Sequence, residues 1–501
     1  MSTIADAKPL RVLFAASEGL PYSKTGGLAD VIGALPQALA ARGVEVAVVL
    51  PLHRGADTKK FKELTASLPI TLGPQQHFPR ILEAPRRASG MLRGGSVRWL
   101  FVDYPPFFDR DSLYVGEDGK DHPDNPERFG LFSRAVLEIA RSIFPADVIH
   151  GHDWQTGLVP LLLHTAYADV PALRTTRTLL TIHNLGYQGL FPPDALLRAG
   201  LSRDEFRMES LEFFGRVNFL KGGLVYADSI STVSPTYARE IQTAECGFGL
   251  EGVIAARAGT VHGILNGVDY QEWDPAHDAL IAARYSAKFG GKNLAGKVAC
   301  KRALLSEYGF PETDVHAPLI GIVSRLTRQK GADLIAAGAA QLMKENLRLV
   351  VLGSGEPEYE ALFSQLARQY PDRVGVRIGF DNALAHQVEA GADIFLMPSH
   401  YEPCGLNQMY SLRYGTVPVV RATGGLADTV EPFDAVAGTG TGFLFSEYTG
   451  AAMLEAIHRA MAAFHDKDAW RQLMLRGMAK DFSWARAAEA YEALYREVGL
   501  A

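Results

Sequence analysis

The chain has 501 residues, 47% of them hydrophobic and 21% charged, a composition typical of a globular protein with room for two large cores. Its formal net charge is −6 at pH 7, and it contains no lysine- or arginine-rich tract. These properties argue against nucleic acid or an anionic membrane as the main partner.

Cysteine usage and the N-terminus both indicate the compartment. The three cysteines, Cys246, Cys300 and Cys404, are far apart in the sequence and form no CxxC pair, which is typical of a reducing cytoplasm. The first residues, MSTIADAKPL, lack the basic and apolar regions of a secretion signal and are too short and acidic for a plastid transit peptide. We therefore expect a cytoplasmic protein of bacterial type.

Apolar runs rich in β-branched residues alternate with helical patterns along the chain. The first series of predicted strands comprises Arg11–Ser17, Val44–Pro51, Val97–Asp103, Asp147–His152, Thr178–His183 and Ser229–Val233. After a polar stretch, the second series comprises Leu319–Val323, Leu347–Leu352, Val374–Ile378, Ile394–Pro398, Val417–Val420 and Gly442–Phe445. This alternation predicts an α/β fold with mainly parallel sheets covered by helices.

The polar stretch Asn266–Pro275, NGVDYQEWDP, separates the two series and marks the predicted domain boundary. We expect Rossmann-like domains at residues 1–268 and 269–483. The amphipathic segment Trp484–Val498 predicts a C-terminal helix within residues 484–501.

The first predicted helix spans Gly26–Arg42. Because Pro36 has no backbone N–H, we expect it to kink or restart this helix. Gly43 provides a C-terminal stop.

Two glycine-containing motifs stand where a predicted strand gives way to a helix: KTGGLAD at Lys24–Asp30 and HYEPCGL at His400–Leu406. Backbone N–H groups at such helix N-termini can bind a phosphate. The tract TGGLAD occurs at both Thr25–Asp30 and Thr423–Asp428, as expected of two related α/β halves. The motifs predict one anionic ligand held between two domains.

Seven segments, spread over nearly the whole chain, resemble in the same order the sequences of bacterial glycogen synthases and plant starch synthases. They are KTGGLADVIGALP (Lys24–Pro36), HGHDWQTGL (His150–Leu158), TIHNLGYQG (Thr181–Gly189), ILNGVD (Ile264–Asp269), SRLTRQKG (Ser324–Gly331), HYEPCGL (His400–Leu406) and RATGGLADTV (Arg421–Val430). The resemblance implies a GT-B-like fold, in which two Rossmann-type domains face each other across a central cleft. It also implies that the C-terminal helix crosses back to the first domain.

The same resemblance implies transfer of glucose from ADP-glucose to the non-reducing end of an α-1,4-glucan such as glycogen, with retention of the α configuration. It implies neither a metal nor an organic cofactor. An uncharged acceptor polymer agrees with the charge balance of the chain. The residues leave open whether the donor base is adenine or uracil, and they leave open the oligomeric state.

Arg325 and Lys330 directly follow the predicted strand Leu319–Val323, at the end of a strand where open α/β sheets bind ligands. Transfer from a nucleotide sugar requires fixed cations beside the diphosphate leaving group. Basic loops of this kind are also common as solvated surface segments. The resemblance favours the first interpretation, because the family's arginine and lysine hold the donor diphosphate, with Lys24 as a third cation.

Glu402 lies in a turn beside Pro403, and two functional roles stay open for it. It is either a catalytic nucleophile in a double displacement or a group that binds the transferred glucose and stabilises its charge. The resemblance favours the second role, with front-face attack. We expect Cys404 to pack rather than react. The positions expected to contribute to donor binding in the glycine motifs are Gly26, Gly27, Cys404, Gly405, Leu406, Thr423, Gly424 and Gly425.

His183 ends a predicted strand, where a histidine is most often structural. The resemblance places it against the donor sugar in a catalytic role. We expect Asp153 and Asn266 to contact the same sugar, although an Asn-Gly turn accounts for Asn266 nearly as well. His150 and His152 form an HxH pair of the kind found in metal hydrolases, but no further ligands follow at a typical spacing. We therefore expect a structural His150 and no metal.

Candidates for acceptor binding are Glu18, which follows the first strand, and the aromatic segment Tyr104–Tyr114. The rings of Tyr104, Phe107 and Phe108 either stack on a glucan or belong to the core. Both interpretations stay open at the level of the sequence.

Three other interpretations are weaker. GFGLEG at Gly247–Gly252 matches a dinucleotide pattern, but it follows a predicted helix instead of a strand. A glucan phosphorylase on the same architecture would carry pyridoxal phosphate on a lysine. An inactive glucan-binding regulator would have lost a charged site group, whereas Lys24, Arg325, Lys330 and Glu402 are all present.

Overall fold

The computed structural model describes residues 9–85, 96–116, 119–288 and 294–500. The N-terminal segment MSTIADAKPL, in which we expect no secretion signal, lies outside the described residues except for Pro9 and Leu10. The described chain divides into two compact units. Unit 1 holds the residues up to Val233, Ala238–Gly267 and those from Trp484 onward; unit 2 holds Ser234–Tyr237 and Val268–Ser483.

Strands and helices alternate along most of the described chain. The strands are β1 (Arg11–Ala15), β2 (Glu45–Pro51), β3 (Lys62–Thr65), β4 (Ile70–Leu72), β5 (Gln75–His77), β6 (Arg80–Glu83), β7 (Arg98–Asp103), β8 (Val148–His152), β9 (Arg177–Ile182), β10 (Leu190–Phe191), β11 (Glu212–Phe213), β12 (Arg216–Asn218), β13 (Ser229–Thr232), β14 (Val261–Gly263), β15 (Leu319–Val323), β16 (Arg348–Gly353), β17 (Val374–Ile378), β18 (Ile394–Met397), β19 (Val417–Arg421) and β20 (Phe443–Phe445). The α-helices are α1 (Gly27–Ala41), α2 (Pro105–Phe108), α3 (Asn125–Ser142), α4 (Leu158–His164), α5 (Ala195–Arg198), α6 (Phe219–Tyr226), α7 (Pro235–Glu240), α8 (Glu251–Ala255), α9 (Ala295–Glu307), α10 (Ala332–Leu342), α11 (Pro357–Gln369), α12 (Asn382–Gly391), α13 (Asn407–Tyr414), α14 (Gly424–Thr429), α15 (Gly450–His465), α16 (Lys467–Met478) and α17 (Trp484–Leu500).

Each unit is built on a mainly parallel sheet. In unit 1, nine strands form a sheet in the order β14-β13-β9-β8-β1-β2-β7-β6-β3, with β6 antiparallel to both of its neighbours. Unit 1 also holds the antiparallel sheet β10-β12-β11 and the pair β4-β5. In unit 2, the order is β17-β16-β15-β18-β19-β20, and all neighbours are parallel. The predicted α/β fold is confirmed.

The strand order explains where ligand-binding loops can form. It reverses direction between β1 and β8 in unit 1 and between β15 and β18 in unit 2. Loops at the carboxyl ends of such strand pairs diverge and leave a crevice in each sheet. The segment KTGGLAD follows β1, and HGHDW forms the end of β8 and the start of the loop after it, whereas SRLTRQKG and HYEPCGL follow β15 and β18.

The predicted strands lie within a residue or two of the observed ones. The sequence prediction missed β3 to β6, β10 to β12 and β14, which are short and in part polar, such as QQH in β5. These strands depend on pairing with neighbours more than on a hydrophobic pattern of their own. Of the two effects expected of Pro36, a kink or a restart, the restart does not occur, because α1 continues through this residue. Gly43, with a φ of +90°, does follow the helix as its stop.

The last helix returns to the first sheet, as predicted. Tyr491 and Tyr495 of α17 are fully buried in the core of unit 1, together with Phe14 of β1 and Leu35 of α1. Burial of these large apolar surfaces stabilises the attachment of the helix.

None of the helices in the described ranges is both long enough and apolar enough to cross a membrane.

Candidate active site

The centre of the candidate site in unit 2 is an ion pair between Lys330 and Glu402. Lys330 ends the 3₁₀ turn that follows β15, and Glu402 lies in the loop between β18 and α13. Lys330 Nζ donates to Glu402 Oε2 at 2.5 Å, and Ser399 Oγ donates to the same oxygen at 3.0 Å. The lysine and glutamate side chains are 20% and 6% exposed, so water screens the pair weakly. A carboxylate and a cation are thus fixed side by side.

Backbone contacts hold the loops after β15 and β18 together. His400 N–H donates to Gln329 O at 2.8 Å. Gly331 has a φ of +79°, and a Cβ atom at this position would lie 2.2 Å from Pro398 O. Only glycine therefore fits, and this close approach fixes the position of the basic loop.

Arg325 lies on the same basic loop as Lys330, and its side chain is exposed. Its Nη2 donates to Gln329 Oε1 at 3.2 Å. A guanidinium group carries its N–H groups in a planar fork that suits an anion.

The second TGGLAD tract packs directly on the turn that carries Glu402. Gly425 N–H donates to Glu402 O at 3.1 Å. A Cβ atom on Gly424, whose φ is +44°, would lie 1.9 Å from Glu402 O, and one on Gly425 would lie 2.0 Å from Cys404 O. Glycine is thus required at both positions by the turn itself. Cys404 is buried, in agreement with a packing role.

Helix α13 begins directly after this turn. Its N-cap is Leu406, whose side chain makes no capping hydrogen bond, and Gly405 before it has a φ of +70°. The first-turn N–H groups of α13 therefore lack a side-chain acceptor at the N-cap, and the positive end of the helix dipole faces the loop.

In unit 1, Glu18 holds the loop that carries Lys24. One carboxylate oxygen of the buried Glu18 accepts hydrogen bonds from Thr25 N–H and from Thr25 Oγ1, the latter at 2.8 Å. Burial raises the pKa of Glu18, although these hydrogen bonds oppose the shift. Lys24 is exposed and donates to Asp30 Oδ1 at 2.6 Å. Glu18 therefore supports the loop, whatever contact it makes with an acceptor.

Gly26 and Gly27 differ sterically from their counterparts in the second tract. Both are exposed, and the nearest atom to a Cβ on Gly26 would be Glu18 Oε1 at 3.8 Å. No atom lies within 4 Å of the corresponding Cβ on Gly27. The protein's own packing does not require glycine here, so the backbone stays open to close approach by a ligand.

His183 and Asp153 meet where β8 and β9 end. His183 N–H donates to Asp153 Oδ1 at 2.7 Å, and the Asp153 backbone has a φ of +56°. Burial raises the pKa of Asp153 to about 7 and lowers the pKa of His183 to about 3. His183 is therefore a neutral imidazole at neutral pH, able to bind a sugar hydroxyl without carrying charge.

His150 and His152 belong to a buried hydrogen-bond chain. His150 Nδ1 is 2.7 Å from the Tyr495 hydroxyl, and His150 Nε2 is 2.5 Å from Thr181 Oγ1. His152 Nδ1 is 2.9 Å from His183 Nε2. The structural role expected of His150 agrees with these contacts. Within the described ranges, no cluster of three or more His, Cys, Asp or Glu side chains is arranged to hold a metal ion.

The remaining candidates differ in accessibility. Asn266 is buried, and its Oδ1 has no hydrogen-bond partner among the described residues. The Tyr104 hydroxyl is 3.0 Å from His77 Nδ1, and Phe107 is half-buried against the same ring. Phe108 is fully buried, so it has no open face for a sugar and belongs to the core.

Sequence reasoning missed two residues that position the site. Ser399 binds the carboxylate of Glu402, and Asp30 binds Lys24. Their positions in the sequence could have identified them, because Ser399 directly precedes one motif and Asp30 ends the other.

Two family models match the chain. One, described as the starch synthase catalytic domain, matches residues 11–256, and one, described as glycosyl transferases group 1, matches residues 310–472. A glycogen synthase from Koribacter versatilis is 53% identical over 488 residues, covering 97% of this chain and 98% of that protein. One from Moorella thermoacetica is 46% identical over 493 residues, covering 98% and 97%.

Solved structures agree with these matches. The catalytic domain of starch synthase IV from Arabidopsis thaliana, bound to ADP and acarbose, has a TM-score of 0.86 and 33% identity, covering 98% of this chain and 100% of that one. Sucrose-phosphate synthase from Thermosynechococcus elongatus has a TM-score of 0.61 at 20% identity, covering 97% and 98%, a likeness of fold alone.

Proposed function

This chain belongs to the family of bacterial glycogen synthases and starch synthases, and on that premise we propose how its residues transfer glucose. It is a glycosyltransferase that extends an α-1,4-glucan, with release of the nucleoside diphosphate and retention of configuration at the sugar. We propose ADP-glucose as the donor, glycogen as the acceptor and the cytosol as the compartment.

The observation that carries the site assignment is the Lys330–Glu402 ion pair, with Arg325 on the same loop. As the bond to the leaving diphosphate breaks, negative charge grows on the phosphate oxygens. Fixed cations stabilise that charge more than they stabilise the ground state. We assign Arg325 and Lys330 to the diphosphate, together with the first-turn N–H groups of α13. That Lys24 supplies a third cation stays a prediction.

Glu402 is assigned to the transferred glucose. Its Oε2 is occupied by Lys330 and Ser399, which leaves Oε1 for a sugar hydroxyl. A carboxylate held by a cation and a hydroxyl is a poorer nucleophile than a bare one, so these contacts favour the positioning role over double displacement. A glucosylated Glu402 peptide, found by mass spectrometry after quenching with donor, would contradict this role.

His183, Asp153 and Asn266 are assigned to the glucosyl group. The neutral ring of His183 donates or accepts a hydrogen bond, and Asp153 fixes the backbone that carries it. The buried Oδ1 of Asn266, which lacks a partner in the described part of the chain, suits a sugar hydroxyl as donor.

A glucan-elongation assay with purified protein tests the proposal. Glycogen is incubated with ADP-glucose or UDP-glucose, and the released diphosphate is measured. We expect transfer from ADP-glucose at a clearly higher kcat/KM than from UDP-glucose. Equal or reversed preference would contradict the donor assignment, and no transfer from either would contradict the function.

A further inference from the structure

Three aromatic side chains of unit 1 are exposed in the turns that follow β9, β11 and α7. Tyr187 is 55% exposed, Phe214 is 82% exposed and Phe248 is 40% exposed. We call these three residues the aromatic platform. Tyr187 lies in the turn that directly follows His183, where Tyr187 N–H donates to Asn184 O at 3.1 Å.

The two phenylalanines have a strained backbone. Phe214 has a φ of +48° and Phe248 a φ of +49°. In the described ranges, the one other non-glycine residue with positive φ is Asp153, a candidate site residue. Bulky residues rarely adopt this conformation, and strain of this kind clusters at ligand-binding sites.

Gln188 ties the loops of the platform together. Its Nε2 donates to Phe248 O at 3.1 Å and to Leu185 O at 3.2 Å, while its Oε1 accepts from Asn218 Nδ2 at 2.7 Å. Gln188 itself is buried. One amide thus joins the turn after His183 to the Phe248 loop and to the end of β12, the strand that follows the Phe214 turn.

Glycine contacts fix the same loops. A Cβ atom on Gly249 would lie 2.9 Å from Phe213 Cζ and 3.2 Å from Phe214 Cε2. The rings of Phe213 and Phe214 lie 4.7 Å apart, edge to face. The Phe214 ring therefore packs against Phe213 and Gly249, as expected of a preformed binding surface.

We propose that the aromatic platform binds the acceptor glucan, at glucose units beyond the one that reacts. This inference rests on the proposed function. A polymer extended at one end must leave the site across the neighbouring surface. Tyr187 lies in the turn that follows His183, and Gln188 of that turn bonds to the backbone of Phe248. Its rings bear no charge, which suits a neutral chain that offers apolar C–H faces for stacking.

The test removes the rings without endangering the fold. Phe214→Gly and Phe248→Gly, combined in one variant, are compatible with positive φ and relieve strain. Phe214→Tyr with Phe248→Tyr is the matched control, which keeps the rings at the same positions. Glycogen binding is measured without donor, by retardation in native gels that contain glycogen, and KM values are measured with ADP-glucose.

We expect the glycine variant to lose retardation and to show a KM for glycogen raised about tenfold, with KM for ADP-glucose nearly unchanged. The tyrosine variant keeps retardation. A glycine variant retarded like the wild type would overturn the proposal. So would an unchanged affinity for glycogen with a lower mass in light scattering, which would identify the platform as a contact between copies.

The two proposals fail separately. If the wild type is retarded by glycogen through these rings but transfers no glucose from ADP-glucose, the proposed function is wrong and the platform stands. If the wild type transfers glucose but the glycine variant binds glycogen normally, the platform alone is wrong.

Discussion

At the scale of single residues, Lys330 binds Glu402 in the protein, and we propose that it also binds the donor diphosphate. Lys330→Ala removes the cation and leaves the carboxylate of Glu402 buried with one hydrogen bond fewer. We expect kcat/KM to fall about a hundredfold, or about 3 kcal/mol in transition-state stabilisation, for Lys330→Ala and for Arg325→Ala.

Arg328→Ala is the matched control for this prediction. Arg328 lies on the same loop, and its side chain is 76% exposed. Its removal should leave kcat/KM within about threefold of the wild type, because exposed ion pairs contribute little. Near-normal turnover in both Arg325→Ala and Lys330→Ala would refute the assignment of these cations.

Two histidines, His53 and His183, predict a specific dependence on pH. Burial lowers the pKa of His183 to about 3 and that of His53 to about 4. Unfolded histidines bind protons below a pKa of about 6.5, whereas these two stay neutral in the folded protein. Their contribution to the free energy of unfolding is therefore fully present above about pH 6.5 and is lost as the pH falls towards the folded values.

Protonation of Asp153 changes the free energy of unfolding with pH in the opposite direction. Its pKa is raised to about 7, so the folded carboxyl holds a proton that the unfolded one has lost between about pH 4 and pH 7. The protonation of the two histidines is best measured by NMR with labelled histidine. We expect the resonances of His183 and His53 not to titrate between about pH 8 and pH 5, and to titrate normally in the urea-unfolded chain. Titration of His183 near its unfolded value in the folded protein would contradict the neutral ring.

At the scale of elements, the same tract TGGLAD begins a helix in both units but packs differently. Gly425→Ala places a Cβ 2.0 Å from Cys404 O, so the turn that carries Glu402 must move. We expect a loss of about 1–3 kcal/mol in stability, seen as a lower Tm, together with lower activity.

Gly27→Ala is the counterpart in the first tract, where no atom lies within 4 Å of the added Cβ. Alanine also favours helix over glycine, so the Tm should be equal or slightly higher. A Tm lowered equally by the two substitutions would show that the steric difference is not what separates the tracts.

Sequence patterns were sufficient to predict elements whose own residues form a hydrophobic or amphipathic pattern. β15 has the predicted bounds, and α17 was predicted from its amphipathic pattern. The short strands β4 and β5 could not be found this way, because their pairing with each other defines them. Pro36 shows the converse: we expected it to kink or restart α1, and the restart does not occur, because the buried face of the helix continues on both sides of it.

At the scale of the whole molecule, the motifs predicted which residues form the candidate site but not how they are held. The ion pair between Lys330 and Glu402 joins residues 72 positions apart, and no local pattern specifies such a contact. The role of Glu18 in supporting the Lys24 loop and the burial of Phe108 are likewise products of packing. The domain bounds at 268 and 483 stay a prediction, as does the role of each site residue in the reaction.

The central claim is that glucose from the donor becomes the new non-reducing end of an α-1,4-glucan. The most direct measurement incubates the protein with glycogen and ADP-glucose labelled in glucose, then digests the product with β-amylase, which removes maltose from non-reducing ends. We expect the label to be released as maltose, in proportion to the ADP formed. Label that stays in the undigested core, or ADP release without incorporation into glycogen, would contradict it.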